Sequence, residues 1–289
     1  VVDAAARIHY STHYLTMFDG KYYNIDSQEF EEEDKTQKSN HDKSKKKQNN
    51  SKPTYDISIL NTSESAENIL KMIQKAQKNE EEKNGVKILF YGESGTGKTL
   101  FANHIAEKLG KKIIRKTPGD ILGMYVGDSE KQIKAAFEEA EKTDSVLLFD
   151  EADTFFNDRK NAHTSWERSM VNEFLIQMEN FKGILICTTN LKNTMDSAMK
   201  RRFHIMCEFK PLLENGIQTL LGKFFPKYKF SEDNVKRISS YSTATPGDFG
   251  KLSDKIRFMD KKDVSSEFIV DELCKIQEEK SGDSRKIGF

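Results

Sequence analysis

The densest group of chemically useful residues lies between Gly92 and Thr99, which reads Gly-Glu-Ser-Gly-Thr-Gly-Lys-Thr. Glycines at this spacing, followed by a lysine and a hydroxyl residue, form the pattern of a phosphate-binding loop. The glycines let backbone N–H groups point at phosphate oxygens, and Lys98 adds a full positive charge near the β- and γ-phosphates. We therefore predict an ATP-binding loop whose contacts come from Gly92, Glu93, Ser94, Gly95, Thr96, Gly97, Lys98, Thr99 and Leu100.

Two adjacent carboxylates, Asp150 and Glu151, follow the apolar run 146–149. A buried strand would deliver them at its carboxyl end, the edge where α/β sheets bind ligands. We expect Asp150 to hold Mg²⁺ together with the hydroxyl of Thr99, and Glu151 to orient or deprotonate the water that attacks ATP. Paired carboxylates can also close a solvated turn, but the phosphate loop earlier in the chain favours a hydrolytic site.

The elements that must position these groups are short apolar runs alternating with helical patterns. Strands are predicted at 86–91, 113–115, 146–149, 184–188 and 204–209. Continuous apolar strands between helices indicate a parallel sheet covered on both faces. The predicted fold class is therefore α/β, with an αβα P-loop core over residues 53–210. Asn61, with Glu64 three residues later, is predicted to cap the first helix of this core.

The two ends of the chain have different patterns. After Pro211 the pattern is helical, with segments at 212–225, 233–241, 249–259 and 266–278, so residues 211–289 are predicted to form a small helical domain. Residues 1–52 are predicted to be an N-terminal segment that ends in a disordered charged linker. The stretch 27–52 is almost entirely charged or polar and cannot bury enough apolar surface to offset its conformational entropy. The aromatic residues before it allow a small hairpin or the end of an upstream domain.

Composition narrows the class of protein. Lys plus Arg and Asp plus Glu both number 46, so the chain has no overall charge bias toward nucleic acid or anionic membranes. The three cysteines lie far apart without a C-x-x-C pair, which argues against a zinc site or a disulfide framework and indicates a reducing compartment. No run reaches the roughly 18 apolar residues that a membrane-spanning helix requires. A cytoplasmic location is the resulting expectation.

Together these motifs resemble the AAA family of ATPases, within the broader AAA+ class, over residues 55–259. The resemblance implies Mg-ATP hydrolysis, a C-terminal helical lid and assembly into a ring, most often a hexamer. The segment 186–190 resembles the sensor-1 strand, which implies that Asn190 helps position the water beside the γ-phosphate. An asparagine that only satisfies a turn at the strand end is the alternative.

Two further segments resemble functional parts of the family. The segment 195–203 resembles the one that supplies arginine fingers, which implies that Arg201 or Arg202 reaches the nucleotide of a neighbouring subunit. An exposed basic patch is the alternative, and the sequence does not separate the two arginines. The segment 123–131 is similar to the first pore loop, which implies that Tyr125 grips a polypeptide, with packing in the core as the alternative.

The sequence departs from the family pattern at the lid. A sensor-2 arginine or a Gly-Ala pair is usual in the family where this chain has the segment 245–249, Thr-Pro-Gly-Asp-Phe. The resemblance therefore does not imply how the lid senses nucleotide. Ser94 stands where proline is common, within the variable part of the loop. Asp56 and Ile57 lie where the family's linker packs on adenine.

These patterns predict an ATPase that remodels or unfolds proteins as a ring, with further copies of itself and a protein substrate as partners. The alternative is an ATP-dependent interaction switch or assembly scaffold with slow turnover. A nucleic-acid motor or clamp loader is disfavoured by the zero net charge and the lack of an appended nucleic-acid module. The basic run 43–47 nevertheless keeps that third class open.

Overall fold

The computed structural model describes residues 21–24, 29–32, 56–78, 85–123, 127–156, 165–190 and 197–285. The chain divides into two compact units, Val1–Lys52 and Pro53–Phe289. In the first unit, β1 (Lys21–Asn24) and β2 (Glu29–Glu32) pair antiparallel. Strand β2 lies within the stretch 27–52 and differs there from the predicted disordered linker. The rest of that stretch lies outside the described residues.

In the second unit, six strands form one sheet in the order β3-β8-β4-β7-β6-β5. Five of them are parallel, and the short β3 pairs antiparallel with β8 at one edge. The parallel strands lie within one residue of their predicted bounds, which confirms the α/β class, whereas the two-residue β3 carries no pattern that predicts it. The bounds are β3 (Asn61–Thr62), β4 (Val86–Gly92), β5 (Ile113–Lys116), β6 (Val146–Phe149), β7 (Ile184–Thr189) and β8 (Ile205–Lys210).

Helices cover both faces of this sheet because alternate residues of its buried strands point to opposite sides. Ile88 and Phe90 of β4 pack in one hydrophobic cluster with Phe101, whereas Leu89 packs in a second cluster with Phe174. The helices of this part are α1 (Ala66–Lys78), α2 (Lys98–Lys108), α3 (Pro118–Ile121), α4 (Asp128–Lys142), α5 (Asp153–Phe156), α6 (Ser165–Asn180) and α7 (Ser197–Lys200).

The predicted helix cap at Asn61 is wrong. Asn61 belongs to β3, and its side-chain amide donates a hydrogen bond to the carbonyl of Pro211 at 2.7 Å. Helix α1 begins at Ala66, and the amide of Ile69 donates to the carbonyl of Ser65. Pairing with β8 gives Asn61 partners from a distant part of the chain, and these replace the local capping bond that its sequence context favours.

Beyond β8 the chain forms a helical lid, which we define as residues 212–285. It has a hydrophobic cluster of its own that includes the fully buried Ile217, Phe249 and Leu273. Its helices follow the predicted pattern and are α8 (Glu214–Phe224), α9 (Glu232–Ser239), α10 (Pro246–Arg257) and α11 (Ser266–Arg285). Among the described residues, no helix combines the length and the apolar content needed to cross a membrane.

The end of β4 requires glycine. Gly92 has a φ of +133°, and a Cβ at this position would lie 2.1 Å from the carbonyl oxygen of Phe209 in β8. The first glycine of the phosphate loop therefore allows β4 to run against β8 while the chain turns away from the sheet.

Gly92→Ala is expected to lower the free energy of unfolding by about 3 kcal/mol or more, because a backbone overlap adds to the strain of positive φ. Gly110→Ala is the matched control, since Gly110 has a φ of +65° but nothing within 4 Å of an added Cβ. The control should lose only about 1–2 kcal/mol. Urea unfolding measures both, and equal losses would contradict the steric argument.

Candidate functional site

The phosphate loop leads from β4 directly into the N-terminus of α2. Gly95 and Gly97 have φ values of +80° and +102°, which glycine adopts without a Cβ penalty. The hydroxyl of Thr96 donates to the carbonyl of Glu93 at 2.8 Å and closes the turn. The loop therefore ends at a helix N-terminus, where unpaired N–H groups and the helix dipole favour an anion.

Lys98 folds back over this loop. Its ammonium donates hydrogen bonds to the carbonyls of Gly92 and Glu93, both at 2.7 Å, and to Oδ1 of Asn190 at 2.9 Å. All three N–H donors of the ammonium are thereby used. Burial lowers the pKa of Lys98 from its ordinary 10.5 to about 8, and nearby carboxylates, Asp153 foremost, oppose that shift.

Asp150 is buried at the end of β6 and is surrounded by donors from three other elements. Its Oδ1 accepts hydrogen bonds from the hydroxyls of Thr99 at 2.8 Å and Thr188 at 2.5 Å, and its Oδ2 lies 2.6 Å from the guanidinium of Arg115. The structure thus brings the predicted pair of Thr99 and Asp150 together. Sequence reasoning missed Thr188 and Arg115, because only the pairing of β5 and β7 with β6 places them beside Asp150.

Glu151 has a strained backbone. Its φ of +57° is uncommon for a residue with a Cβ, and its amide donates to the hydroxyl of Thr188 at 2.9 Å. Such strain, on the order of 1 kcal/mol or more, persists only where the surrounding structure holds it, and it is frequent at functional sites. The turn leaves the side chain of Glu151 exposed in the cavity described below.

Asn190 directly follows β7, and the carboxylate of Asp153 at the start of α5 holds its backbone in place. Its amide donates to Oδ1 of Asp153 at 3.2 Å, and the hydroxyl of Thr189 donates to the same oxygen. The side chain of Asn190 then meets Lys98. Asp153 was not predicted, although its place in the run Asp150-Glu-Ala-Asp153 is the signal that could have suggested it.

A cavity of about 580 Å³ lies over these groups, within the range typical of small-ligand sites. Gly247 donates a hydrogen bond to the carbonyl of Gly95 at 2.9 Å, so the lid contacts the phosphate loop directly. Asp56 lines the cavity, whereas Ile57, also expected near adenine, packs against the sheet cluster. None of the lid residues that line the cavity was predicted as a binding residue, although two of them fall in the segment 245–249 that matches the family's sensor-2 place. These lid residues are Leu220, Lys223, Phe224, Pro246, Gly247 and Gly250.

The lid segment that departs from the family pattern forms a buried polar cap. Asp248 is 2% exposed and accepts hydrogen bonds from the amide of Thr245 at 2.8 Å and from Lys280 at 2.6 Å. Gln277 of α11 adds a third contact at 3.2 Å. The N-terminus of α10, which touches the phosphate loop, is therefore tied to α11.

Arg201 and Arg202 lie away from this site. They precede β8 at the amino edge of the parallel strands, whereas the phosphate loop follows the carboxyl edge. Ile205 at the start of β8 pairs with Ile88, and Phe209 pairs with Gly92, so four residues of β8, or roughly 13 Å, separate the two edges. Arg201 is exposed, and Arg202 contacts Glu179 with its Nε 2.7 Å from Oε1. Tyr125 lies outside the described residues.

The sequence of this chain is similar to a known family and to individual proteins. Residues 88–211 match the family model described as "ATPase family associated with various cellular activities (AAA)". The chain is 32% identical over 185 residues to vacuolar protein sorting-associated protein 4 of Dictyostelium discoideum, covering 62% of this chain and 39% of that protein. It is 35% identical over 147 residues to an uncharacterized AAA family ATPase, y4kL, of Sinorhizobium fredii, covering 50% of this chain and 43% of that protein. The chain thus spans about two fifths of the length of these relatives.

A solved structure has a similar fold. The FIGL-1 AAA domain in complex with ADP matches with a TM-score of 0.57 at 20% identity, covering 74% of this chain and 81% of that one. At this level of identity the match concerns the fold alone.

The strain at Glu151 predicts that glycine is more stable than a side chain at this position. Glu151→Gly should raise the free energy of unfolding by about 0.5–1 kcal/mol, because only glycine adopts this φ freely. Glu151→Gln keeps the strain and should stay within about 0.5 kcal/mol of the parent protein. Chemical denaturation compares the three proteins, and a glycine variant less stable than the glutamine variant would refute the assignment of strain.

Proposed function

The chain carries an ATPase domain of the AAA family over residues 88–211, and on that premise we propose that it binds Mg-ATP between core and lid and hydrolyses it to remodel proteins. One observation carries this proposal. Lys98 and Thr99 of the phosphate loop meet Asn190 and Asp150, which come from two other strands, at distances of 2.9 and 2.8 Å. A cation, a hydroxyl, an amide and a carboxylate thus converge at a helix N-terminus, the set that phosphoryl transfer requires.

The donor set fits magnesium. Thr99 Oγ1 and Asp150 Oδ1 are hard oxygen ligands 2.8 Å apart beside the phosphate loop, and Mg²⁺ favours one or two protein oxygens together with phosphate oxygens. When bound, Mg²⁺ neutralises charge that develops on the β- and γ-phosphates. Thr188 keeps Oδ1 of Asp150 facing Thr99 by donating to the same atom.

Lys98 couples the phosphates to Asn190. Because the ammonium already uses its three N–H donors, a bound triphosphate must replace at least one of its acceptors. Loss of the contact with Asn190 frees that amide to orient the attacking water, and Glu151, which lines the cavity, accepts the proton of that water in this proposal.

The arginine fingers act between subunits. Arg201 and Arg202 lie at the amino edge of the sheet, whereas the chain's own phosphate loop lies at the carboxyl edge. We assign the contact with a neighbour's phosphates to Arg201, which is exposed, and a supporting role to Arg202, which Glu179 holds. Hydrolysis then requires assembly, which the family resemblance extends to a ring, most often a hexamer.

A protein is the favoured substrate. The relative from Dictyostelium is associated with vacuolar protein sorting, and the zero net charge of this chain gives no general attraction for nucleic acid. Tyr125 remains the proposed gripping residue of a pore loop. The alternative, a switch that binds ATP tightly and turns over slowly, predicts that Tyr125→Ala has no effect on protein-stimulated hydrolysis.

The lowered pKa of Lys98 predicts that ATP binding weakens at alkaline pH. Above the pKa of about 8, the free protein must take up a proton to present the ammonium to the phosphates. The affinity measured by calorimetry should be level up to about pH 8 and then fall by up to tenfold per pH unit, since the phosphates themselves are already ionised there.

Lys98→Arg is the matched control for this pH effect, because a guanidinium stays protonated throughout the range. Its affinity should be independent of pH, whatever its absolute value. A parent protein whose affinity is equally level to pH 9.5 would contradict the combination of a lowered pKa at Lys98 and a direct contact of its ammonium with the phosphates.

Arg201→Ala should lower the rate of hydrolysis by about 10³-fold or more while leaving the ATP affinity of isolated subunits unchanged. Mixing this variant with Glu151→Gln tests the direction of the contact. The Arg201→Ala subunit keeps an intact ATP site but lacks the finger, whereas the Glu151→Gln subunit keeps the finger but has a disabled site. Where the two are neighbours, the intact site receives a finger, so the mixture should recover part of the activity. A mixture as inactive as its components would contradict action between subunits.

A further inference from the structure

The carboxylate that we assign to magnesium already has a cationic partner in this chain. The guanidinium of Arg115 lies 2.6 Å from Oδ2 of Asp150, and the exposed fractions of the two side chains are 56% and 3%. The hydroxyls of Thr99 and Thr188 bind the other oxygen, Oδ1. Arg115 therefore contacts the solvent-side oxygen of the carboxylate, Oδ2, whereas the hydroxyls contact the oxygen beside the phosphate loop, Oδ1.

The sheet sets this approach. Arg115 is the third residue of β5, opposite Leu148 in β6, and the amide of Asp150 donates to the carbonyl of Lys116 at 2.9 Å. Backbone pairing thus fixes the position of the Arg115 backbone, so only the Arg115 side chain needs to move if the contact with Asp150 breaks. Charge-assisted contacts of this kind are among the stronger hydrogen bonds, although exposure of the guanidinium to solvent weakens this one.

We propose that Arg115 is a competing cation that sets the affinity of this site for divalent metal. The proposal rests on the assignment of Asp150 to Mg²⁺ made above. Two cations that share one carboxylate repel each other, so metal binding must weaken the Arg115–Asp150 contact. The pair keeps the buried carboxylate neutralised before metal binds, and the cost of separating it lowers the apparent metal affinity.

A released Arg115 has a second acidic neighbour. Asp120 lies in the cap of α3, on the segment that leads toward Gly123 and the predicted pore loop. Two hydrogen bonds from Thr117 lower the pKa of Asp120, and the positive charges of Lys116 and Arg115 lower it further. The positive charge of Arg115 therefore acts on two carboxylates, Asp150 and Asp120.

The test measures binding rather than turnover. ADP binding is followed by calorimetry while the Mg²⁺ concentration is varied, for the full chain and for Arg115→Gln. Removing the competing charge should lower the half-saturating Mg²⁺ concentration by about tenfold, a size typical of a charge-assisted contact that solvent weakens. Lys116→Gln is the matched control, because Lys116 pairs with Glu139 at 3.4 Å and should leave the metal dependence unchanged.

Thermal unfolding separates competition from a structural role. With a chelator present, Arg115→Gln should be less stable than the parent, because Asp150 loses its partner. Saturating Mg-ADP should then stabilise the variant more than the parent. An equal deficit with and without Mg-ADP, or a half-saturating Mg²⁺ concentration that is unchanged or raised, would overturn the proposal.

Asp150→Asn distinguishes this failure from failure of the proposed metal site. If the parent and Asp150→Asn bind ADP with the same Mg²⁺ dependence, Asp150 is not the metal residue, and both proposals fall. If Asp150→Asn removes the Mg²⁺ dependence and Arg115→Gln leaves it unaltered, only the role of Arg115 is refuted.

Discussion

The site depends on one buried carboxylate and the donors that satisfy it. Asp150 accepts hydrogen bonds from Thr99 on α2 and Thr188 on β7 and pairs with Arg115 on β5, so its charge holds three elements together at the carboxyl edge of the sheet. A charge this deeply buried is unfavourable unless it is fully paired. Its requirement for partners also orders the hydroxyl that we assign to magnesium, which links the stability of the fold to the geometry needed for phosphoryl transfer.

The lid extends this arrangement over the cavity. Contact between Gly247 and Gly95 places the N-terminus of α10 against the phosphate loop, and the polar cap around Asp248 joins that helix to α11. These hydrogen bonds connect the phosphate loop to the last helix of the described chain through one buried acid, Asp248. In this lid, the N-terminus of α10 and its cap connect the lid to the phosphate loop. An arginine or a Gly-Ala pair is usual at this place in the family.

The residues that we propose for hydrolysis lie at opposite edges of the sheet. The proposed nucleotide site lies where the parallel strands end, whereas Arg201 and Arg202 precede the start of β8. A parallel sheet separates these positions by the length of its strands, so Arg201 and Arg202 lie apart from the site of their own chain. This separation is the physical reason for proposing that a second copy completes the site.

Local sequence determined the parts of this protein that local physics controls. Glycine spacing and apolar runs were sufficient to predict the phosphate loop and the bounds of the parallel strands, because backbone freedom and strand burial depend on the residues themselves. The contacts of Asp150 with Thr188 and Arg115, the pairing of Asn61 with the edge of β8 and the lid residues at the cavity depend on which distant strands and helices become neighbours. Tertiary structure decided those contacts, since strand order and register follow from packing of the whole chain.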